Sequence, residues 1–429
     1  MNYTQNEKIE QVTETTLVIG VDIGSQIHYA RAFDNRGREL TKKVYTFENS
    51  IEGFNSFNQW TEKIRTENDK TAVMIGCEPT GHYWFALAKY VADHQKTLVM
   101  VNPFSVRKIK ELDDNSPKKT DRKDPKTIAK LVVDGRYSVP YMPEGIYAEI
   151  RDLVYSRDRI IKQHNIAANR IQRWLAIHFP EYQGIYTRFD ASSGLALLEK
   201  APLPKDIIAL GVSGIRKIWH EKKMRGRGVT EDRAKILVEA AHNSVGLDGG
   251  CGTRSELYML LEEHRLWTSQ LETVEKAIAE TVLKVKHVEK LLAIKGVGII
   301  TIAGFLAEVG DIRRFQSPKQ IQKYAGLELV ENSSGKHKGK TRISKRGRRK
   351  LRRILYQVMI PLLARNKEFR EIYDYYVTRV KNPLKRRQAM VAVSCKLIRV
   401  FYVVLTKGVD YDRVKMMSDI HRDSRPIVA

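Results

Sequence analysis

Four acidic residues in the first third of the chain have the types and settings that metal-assisted phosphoryl chemistry needs: Asp22, Glu78, Asp121 and Asp124. Carboxylates are hard oxygen donors suited to Mg²⁺ or Mn²⁺, and paired ions of that kind can clamp the attacking and leaving oxygens of a displacement at phosphorus. Asp22 closes the apolar run that begins at Leu17, Glu78 closes the run from Ala72, and Asp121 and Asp124 lie three apart in Lys119-Thr120-Asp121-Arg122-Lys123-Asp124. Each also has an ordinary reading. Asp22 suits a strand-end turn before Gly24, Glu78 a solvated strand terminus before Pro79, and Asp121 an exposed partner of Arg122 or Lys123. Asp124-Pro125 reads as a helix N-cap followed by an N1 proline. Together, acids ending two strands and opening one helix can converge on one end of a sheet. The surrounding Lys108, Lys110, Lys118, Lys119, Arg122 and Lys123 suit a substrate made of phosphates.

A second constellation follows some two hundred residues later. Asn332-Ser333-Ser334-Gly335 precedes a stretch, 336–353, in which 11 of 18 residues are Lys or Arg and none is acidic. Lys336, Lys338, Lys340, Arg342, Lys345, Arg346, Arg348 and Arg349 would draw in a phosphate backbone and make binding steeply salt-dependent. The plain reading is a basic loop that binds without reacting, with Ser334 a turn residue in a flexible loop. The reactive reading is attack of a serine hydroxyl on phosphorus, which needs activation and cations to neutralise the transition state. Cations are abundant here, but no general base stands beside Ser334 in sequence, and His337 is a poor one. Between the two constellations, Lys295-Gly296-Val297-Gly298 opens an apolar helix. Two glycines there suit either backbone N–H contacts to a phosphate or a tight turn between packed helices.

The elements that must position these residues can be read from periodicity. Strands are predicted at 16–24, from Gln26 to Phe33, around Leu40 to Phe47, at 72–78 and from Thr97 to Val101. Helices carry Ile51, Phe54, Phe57, Trp60 and Ile64, and run from about His82 to Asp93. Three strands, then helix, strand, helix, strand is the order of a ribonuclease-H-like mixed sheet. Such a fold places metal-binding acids on its first strand and at the end of its fourth. Beyond Ile146 the spacing turns helical: one stripe runs from Ile150 to Trp174, another from Leu260 to Leu292, in steps of three and four. Two such stripes predict an antiparallel helical arm or a dimerising coiled coil. The segment 180–252, with the basic run Lys222-Lys223-Met224-Arg225-Gly226-Arg227, reads as an insertion between them. The domain reading is therefore α/β plus α: a catalytic sheet domain at 1–140, a helical linker at 141–290 and a mainly helical C-terminal domain at 291–429.

Composition narrows the class. Across 429 residues, 75 Lys and Arg oppose 50 Asp and Glu, a net charge of +25 that marks a polyanion binder. Cys77, Cys251 and Cys395 are too few and scattered for a disulfide framework or a zinc site, which fits a reducing cytoplasm. Cys77 reads as a small buried hydrophobe. Met1 to Gln11 is too polar for a signal peptide, and no apolar run is read as reaching membrane-spanning length.

The motifs also occur in a telling order. Val21-Asp22-Ile23-Gly24, Cys77-Glu78-Pro79-Thr80-Gly81, Lys119 through Asp124, Ile294-Lys295-Gly296-Val297-Gly298, and Ser333-Ser334-Gly335 through Ile343-Ser344-Lys345-Arg346-Gly347 resemble transposases of the "IS one-ten" insertion-sequence family. These are DEDD recombinases guided by a bridge RNA. The resemblance covers about 17–139, 291–407 and the helical link. It implies a RuvC-like domain in which Asp22, Glu78, Asp121 and Asp124 bind Mg²⁺, and a C-terminal transposase domain whose serine is the nucleophile. Ser334 matches best, ahead of Ser333 and then Ser344. Double-stranded target and donor DNA, a structured noncoding guide RNA, and a homodimer assembling into a homotetramer are implied as partners. Acids of one subunit would meet the serine of another, supplying the activators that Ser334 lacks. The chain departs from the family pattern at Pro125, where alanine is commoner, and in the length of 180–252. The rival readings are a RuvC-like nuclease that hydrolyses junctions with metal-activated water, and a non-catalytic nucleic-acid-binding scaffold.

Overall fold

Seven residues of low polarity, Thr16–Asp22, form strand β1, which is buried over nearly its whole length because strands pair with both its edges and helices cover both faces of the sheet. The computed structural model describes residues 4–113, 124–226, 228–330, 333–334, 337–338 and 341–418. They divide into two compact units, Met1–Met142 and Pro143–Ala429.

In the first unit a short helix α1 (Gln5–Glu10) precedes β1, β2 (Ile27–Phe33), β3 (Tyr45–Glu48), α2 (Ile51–Glu67), β4 (Ala72–Cys77), α3 (Trp84–Asp93), β5 (Thr97–Val101), α4 (Pro103–Asp113), α5 (Asp124–Val133) and β6 (Tyr137–Ser138). The sheet order is β3-β2-β1-β4-β5-β6. β1 pairs antiparallel with β2 and parallel with β4, and β4 pairs parallel with β5. This is a mixed α/β sheet of the order expected from the sequence. The third strand is shorter than its predicted span: after an isolated bridge between Phe33 and Glu39, pairing resumes only at Tyr45. One face carries α2 and α3 through Phe54, Phe57, Trp84 and Leu87; the other carries α4 and α5 through Val106, Ile128 and Val132. Cys77 is fully buried, as its apolar setting predicts. Burial first, and the nearby Glu78 charge second, push its thiol up to about 12.

The second unit is almost entirely helical. It comprises α6 (Gly145–His178), α7 (Tyr182–Ile185), α8 (Ser192–Leu198), α9 (Pro204–Glu221), α10 (Glu231–His242), α11 (Cys251–Val282), α12 (Val288–Leu292), α13 (Ile299–Val309), a 3-10 turn (Ile312–Arg314) and α14 (Pro318–Tyr324). The short strands β7 (Leu329–Val330), β8 (Ser333–Ser334), β9 (His337–Lys338) and β10 (Arg342–Ile343) follow, then α15 (Arg349–Arg365), α16 (Lys367–Thr378), α17 (Arg386–Lys407) and α18 (Arg413–Met417).

The first predicted stripe lies on α6; the second lies on α11 only as far as Val282, where the helix breaks, and resumes on α12. α6 and α11 pack along each other within one chain. Contacts at Arg157–Glu275, His164–His264, and Trp174 Nε1 to the Thr253 carbonyl run in opposite sequence directions, so the pair is antiparallel. Its two ends enter different cores. Ile150, Val154, Ile278 and Val282 join the core of α12 to α18, so residues on both sides of 291 share one core. Ile171, Trp174, Leu175, Leu257 and Leu261 join a second core built by 180–252. That segment is a helical cap closed around Tyr182 and Trp219, whose indole donates to the Ser193 carbonyl at 2.9 Å.

Among the described helices, α17 is long and apolar enough to cross a membrane, contrary to the sequence expectation. Its Val393, Leu397, Phe401 and Val404 are buried in the unit's own core, the pattern of a central helix.

Candidate functional site

Strand register sets the first half of the site. Gly20 pairs with Gly76 and Val21 with Cys77 across the parallel β1–β4 ladder. Asp22 and Glu78 each follow a member of the last pair, so they stand side by side on strands about 4.8 Å apart. Alternate residues share a face, and the faces of Gly20 and Gly76 are identified by what lies over them. A Cβ on Gly20 would overlap the carbonyl oxygen of Pro125 and stand 3.0 Å from the Ala129 nitrogen. One on Gly76 would fall 2.5 Å from Val132 Cγ2 and 3.2 Å from Ile128 Cγ2. Helix α5 therefore rests directly on this glycine pair. Asp22 and Glu78, two residues further on, continue the same face toward the α5 N-terminus, where Asp124 begins the helix.

The electrostatics agree with this convergence. Burial pushes the Glu78 carboxyl above its ordinary value; Lys110 pulls it down, and Asp124 pushes it up again. Lys110 of α4 forms an ion pair with Asp124, so a residue read from the sequence as a phosphate contact holds one of the acids. Three of the four expected acids, Asp22, Glu78 and Asp124, thus come to one end of one sheet. Asp121, with Lys119, Arg122 and Lys123, lies outside the described residues. Among the described residues, no three acids, histidines or cysteines are spaced to hold a metal ion. Carboxylate oxygens are hard donors of the kind a divalent cation takes. The glycine pair was not singled out from sequence, although glycine inside an apolar strand is a signal of close backbone approach.

The second unit holds the serine and most of the cations. Ser334 does not sit in a flexible loop: β8 and β9 form a small hairpin with Ser333 opposite Lys338 and Ser334 opposite His337. β7 and β10 pair around it, Arg342 with Val330 and Ile343 with Leu329. The ladder continues through the Ser344 N–H to the Glu328 carbonyl at 2.7 Å. Lys336 and Lys340 lie outside the described residues. Arg342, Lys345, Arg346, Arg349 and Lys295 are exposed.

Arg348 is committed to the fold instead. Its Nε donates to the Tyr324 hydroxyl at 2.8 Å, and its guanidinium lies 5.5 Å from that ring. Three further cations of the same stretch are tied down: Lys350 and Arg353 to Asp158, and Arg352 to the Ala325 carbonyl. Gly296 faces the protein, because a Cβ there would meet Leu362 Cα and the Pro361 carbonyl at 2.6 Å. Gly298, the N-cap of α13, has open space where its side chain would be. Of the two readings of this turn, tight packing accounts for Gly296, while Gly298 alone faces open space.

Two family models match the chain, together over more than half of it. One, described as DEDD_Tnp_IS110 transposase, matches residues 19–180; the other, described as the transposase IS116/IS110/IS902 family, matches residues 288–374. The chain is 22% identical to the insertion element IS116 uncharacterized 44.8 kDa protein of Streptomyces clavuligerus, over 90% of this chain and 94% of that one. It is 23% identical to the insertion element IS110 uncharacterized 43.6 kDa protein of Streptomyces coelicolor, over 92% and 95% respectively. A transposase for insertion sequence element IS1328 of Yersinia enterocolitica is 28% identical over 34% of this chain and 43% of its own. The first model takes in the strands that end in Asp22 and Glu78 and the helix that opens with Asp124; the second takes in the serine hairpin and its basic flank. On these grounds the chain belongs to the IS116/IS110/IS902 family of insertion-sequence transposases.

Proposed function

We propose that this transposase breaks and rejoins DNA strands through a serine–phosphate intermediate, with Ser334 as nucleophile and Asp22, Glu78, Asp121 and Asp124 as its acidic centre. The observation that carries the reading is the register of Asp22 beside Glu78 beneath an α5 helix headed by Asp124. Three acids brought to one sheet end amid cations suit a phosphodiester and no neutral substrate. These acids would hold Mg²⁺ or Mn²⁺, which supplies charge neutralisation at the reacting phosphate. In the reaction the Ser334 Oγ–phosphorus bond would form as the bond to the leaving strand oxygen breaks, the serine proton passing by way of a carboxylate oxygen of the cluster to that oxygen, which departs as a strand hydroxyl. Attack on the phosphoserine by a hydroxyl of another strand reverses these steps and joins the new ends. Lys345, Arg346 and Arg349, exposed beside the hairpin, hold the DNA backbone. The family resemblance adds that a structured guide RNA selects target and donor DNA by pairing, leaving the protein to read backbone shape and charge. It adds, too, that acids and serine come from different subunits of a dimer or tetramer.

Ser334→Ala is the decisive variant. It should abolish the covalent protein–DNA adduct seen on a denaturing gel and reduce strand joining at least a thousandfold, with DNA binding retained. Full joining in that protein would favour hydrolysis by activated water. Asp22→Ala mixed with Ser334→Ala should recover activity when the site is shared between subunits; no recovery in demonstrated mixed oligomers places it within one chain.

A further inference from the structure

The end of the sheet that carries the acids also carries two uncovered benzyl groups. Phe85 is 50% exposed and Phe104 is 67% exposed. Single exposed apolar side chains are common and need no explanation. These two share a location. β4 and β5 are neighbouring parallel strands, so the segments that leave their C-terminal ends emerge together. Phe85 lies in the first turn of α3, seven residues after Glu78, and Phe104 in the first turn of α4, three residues after β5 ends. Because α3 and α4 cover opposite faces of the sheet, the rings flank its acidic end from two sides.

Both rings are held by rigid elements. The Phe104 N–H donates to Asn102 Oδ1 at 2.9 Å, fixing the start of α4. Phe85 rests against Trp84, itself buried in the sheet's core, with ring centroids 4.4 Å apart. Arg107 and Lys108 are exposed three and four residues after Phe104, on the same helix face. An aromatic ring beside two cations on one face is the combination that takes a base and its phosphates.

We propose that Phe85 and Phe104 stack on unpaired bases of the DNA strand presented to the carboxylates, so that this end of the domain takes locally opened rather than fully paired DNA. The proposal rests on the reading that these acids act on DNA. Its chemistry is restrictive: a benzyl group offers no hydrogen bond to read a groove edge, and its gain comes from the face of a base. That face is available only where the base has left the duplex stack. Arg107 and Lys108 grip the backbone of the same strand.

The test is metal-free binding by full-length protein, read as fluorescence anisotropy of a labelled single-stranded oligonucleotide and of its duplex at one salt concentration. Phe85→Ala and Phe104→Ala should each weaken single-strand binding about tenfold, with duplex binding changed less than twofold. Phe85→Trp and Phe104→Trp should restore it. A 2-aminopurine in the strand should lose its stacking quench in the alanine proteins and keep it in the tryptophan ones. Unchanged single-strand binding, or equal losses on single strand and duplex, overturns the proposal. A change of molar mass in light scattering without a binding change would assign the rings to a second copy of the chain and overturn it as well. Should Asp22→Asn still cut DNA, the proposed function fails while the stacking readout stands.

Discussion

At the scale of single residues, the acidic end depends on two missing side chains. Gly20 and Gly76 form a register pair, and α5 lies on them so closely that a methyl on Gly20 would meet main-chain atoms of Pro125 and Ala129. Backbone cannot rotate away as a side chain can, so Gly20→Ala must lift the first turn of α5 and carry Asp124 with it. Overpacking of this kind costs about 1–3 kcal/mol. We expect a fall of that size in unfolding free energy by urea titration, with strand cleavage reduced at least tenfold. Gly76→Ala meets the methyl carbons of Val132 and Ile128 instead. It should be milder, and Val132→Ala should relieve it in the double variant; no such relief to Gly20→Ala is expected. Equal effects of the two glycine changes would show that α5 adapts as a whole. This feature was hidden in the sequence. Asp22 and Glu78 could be found because each ends an apolar run, but the helix that needs the glycines begins 104 residues after Gly20.

At the scale of elements, legibility followed repetition. β1, β4 and β5 were readable as short apolar runs, and α6 and α11 from steps of three and four over many turns. The cap was not, because α7 and α8 are short and α9 is kinked at Gly211, which adopts a positive φ. Nor was the serine hairpin, whose paired segments are two residues each and carry little apolar alternation. The α6–α11 pair also carries an unanticipated polar joint. His264 is 6% exposed, its Nε2 has no hydrogen-bond partner among the described residues, and its ring lies 4.5 Å from that of His164 and 5.2 Å from Phe189. Burial, then the neighbouring His164, lower its pKa; Asp190 raises it and Arg188 lowers it, with burial dominant. A histidine whose folded pKa lies below its unfolded value of about 6.5 takes up its proton more readily in the unfolded chain. Its contribution to stability is whole above that pH and is lost as the pH falls below it. The urea midpoint should therefore drop more between pH 7.5 and 5.5 in the parent than in His264→Leu. An equal drop in both would mean that the buried imidazole contributes nothing to the pH dependence.

At the scale of the whole molecule, the net charge of +25 is unevenly spent. Eleven cations without one acid lie in 336–353, whereas the basic run of the cap lies among Glu199, Glu221, Glu231 and Asp232. Lys222 there is ion-paired with Glu199. Even within 336–353, Arg348, Lys350, Arg352 and Arg353 serve the fold. On the proposed function, the exposed Lys345, Arg346 and Arg349 are then three cations that would meet the DNA backbone. Each phosphate contact adds roughly 0.9 to the magnitude of the slope of log K against log salt concentration for duplex DNA. Replacing these three with glutamine should flatten that slope by about two to three and weaken binding uniformly across DNA sequences, because backbone contacts carry no base information. Glutamine at Lys222, Lys223 and Arg225 removes the same formal charge from the cap and should leave the slope within about half a unit of the parent. An equal flattening by both triples would show that DNA responds to net charge alone. A larger effect of the cap triple would make the cap the principal DNA contact.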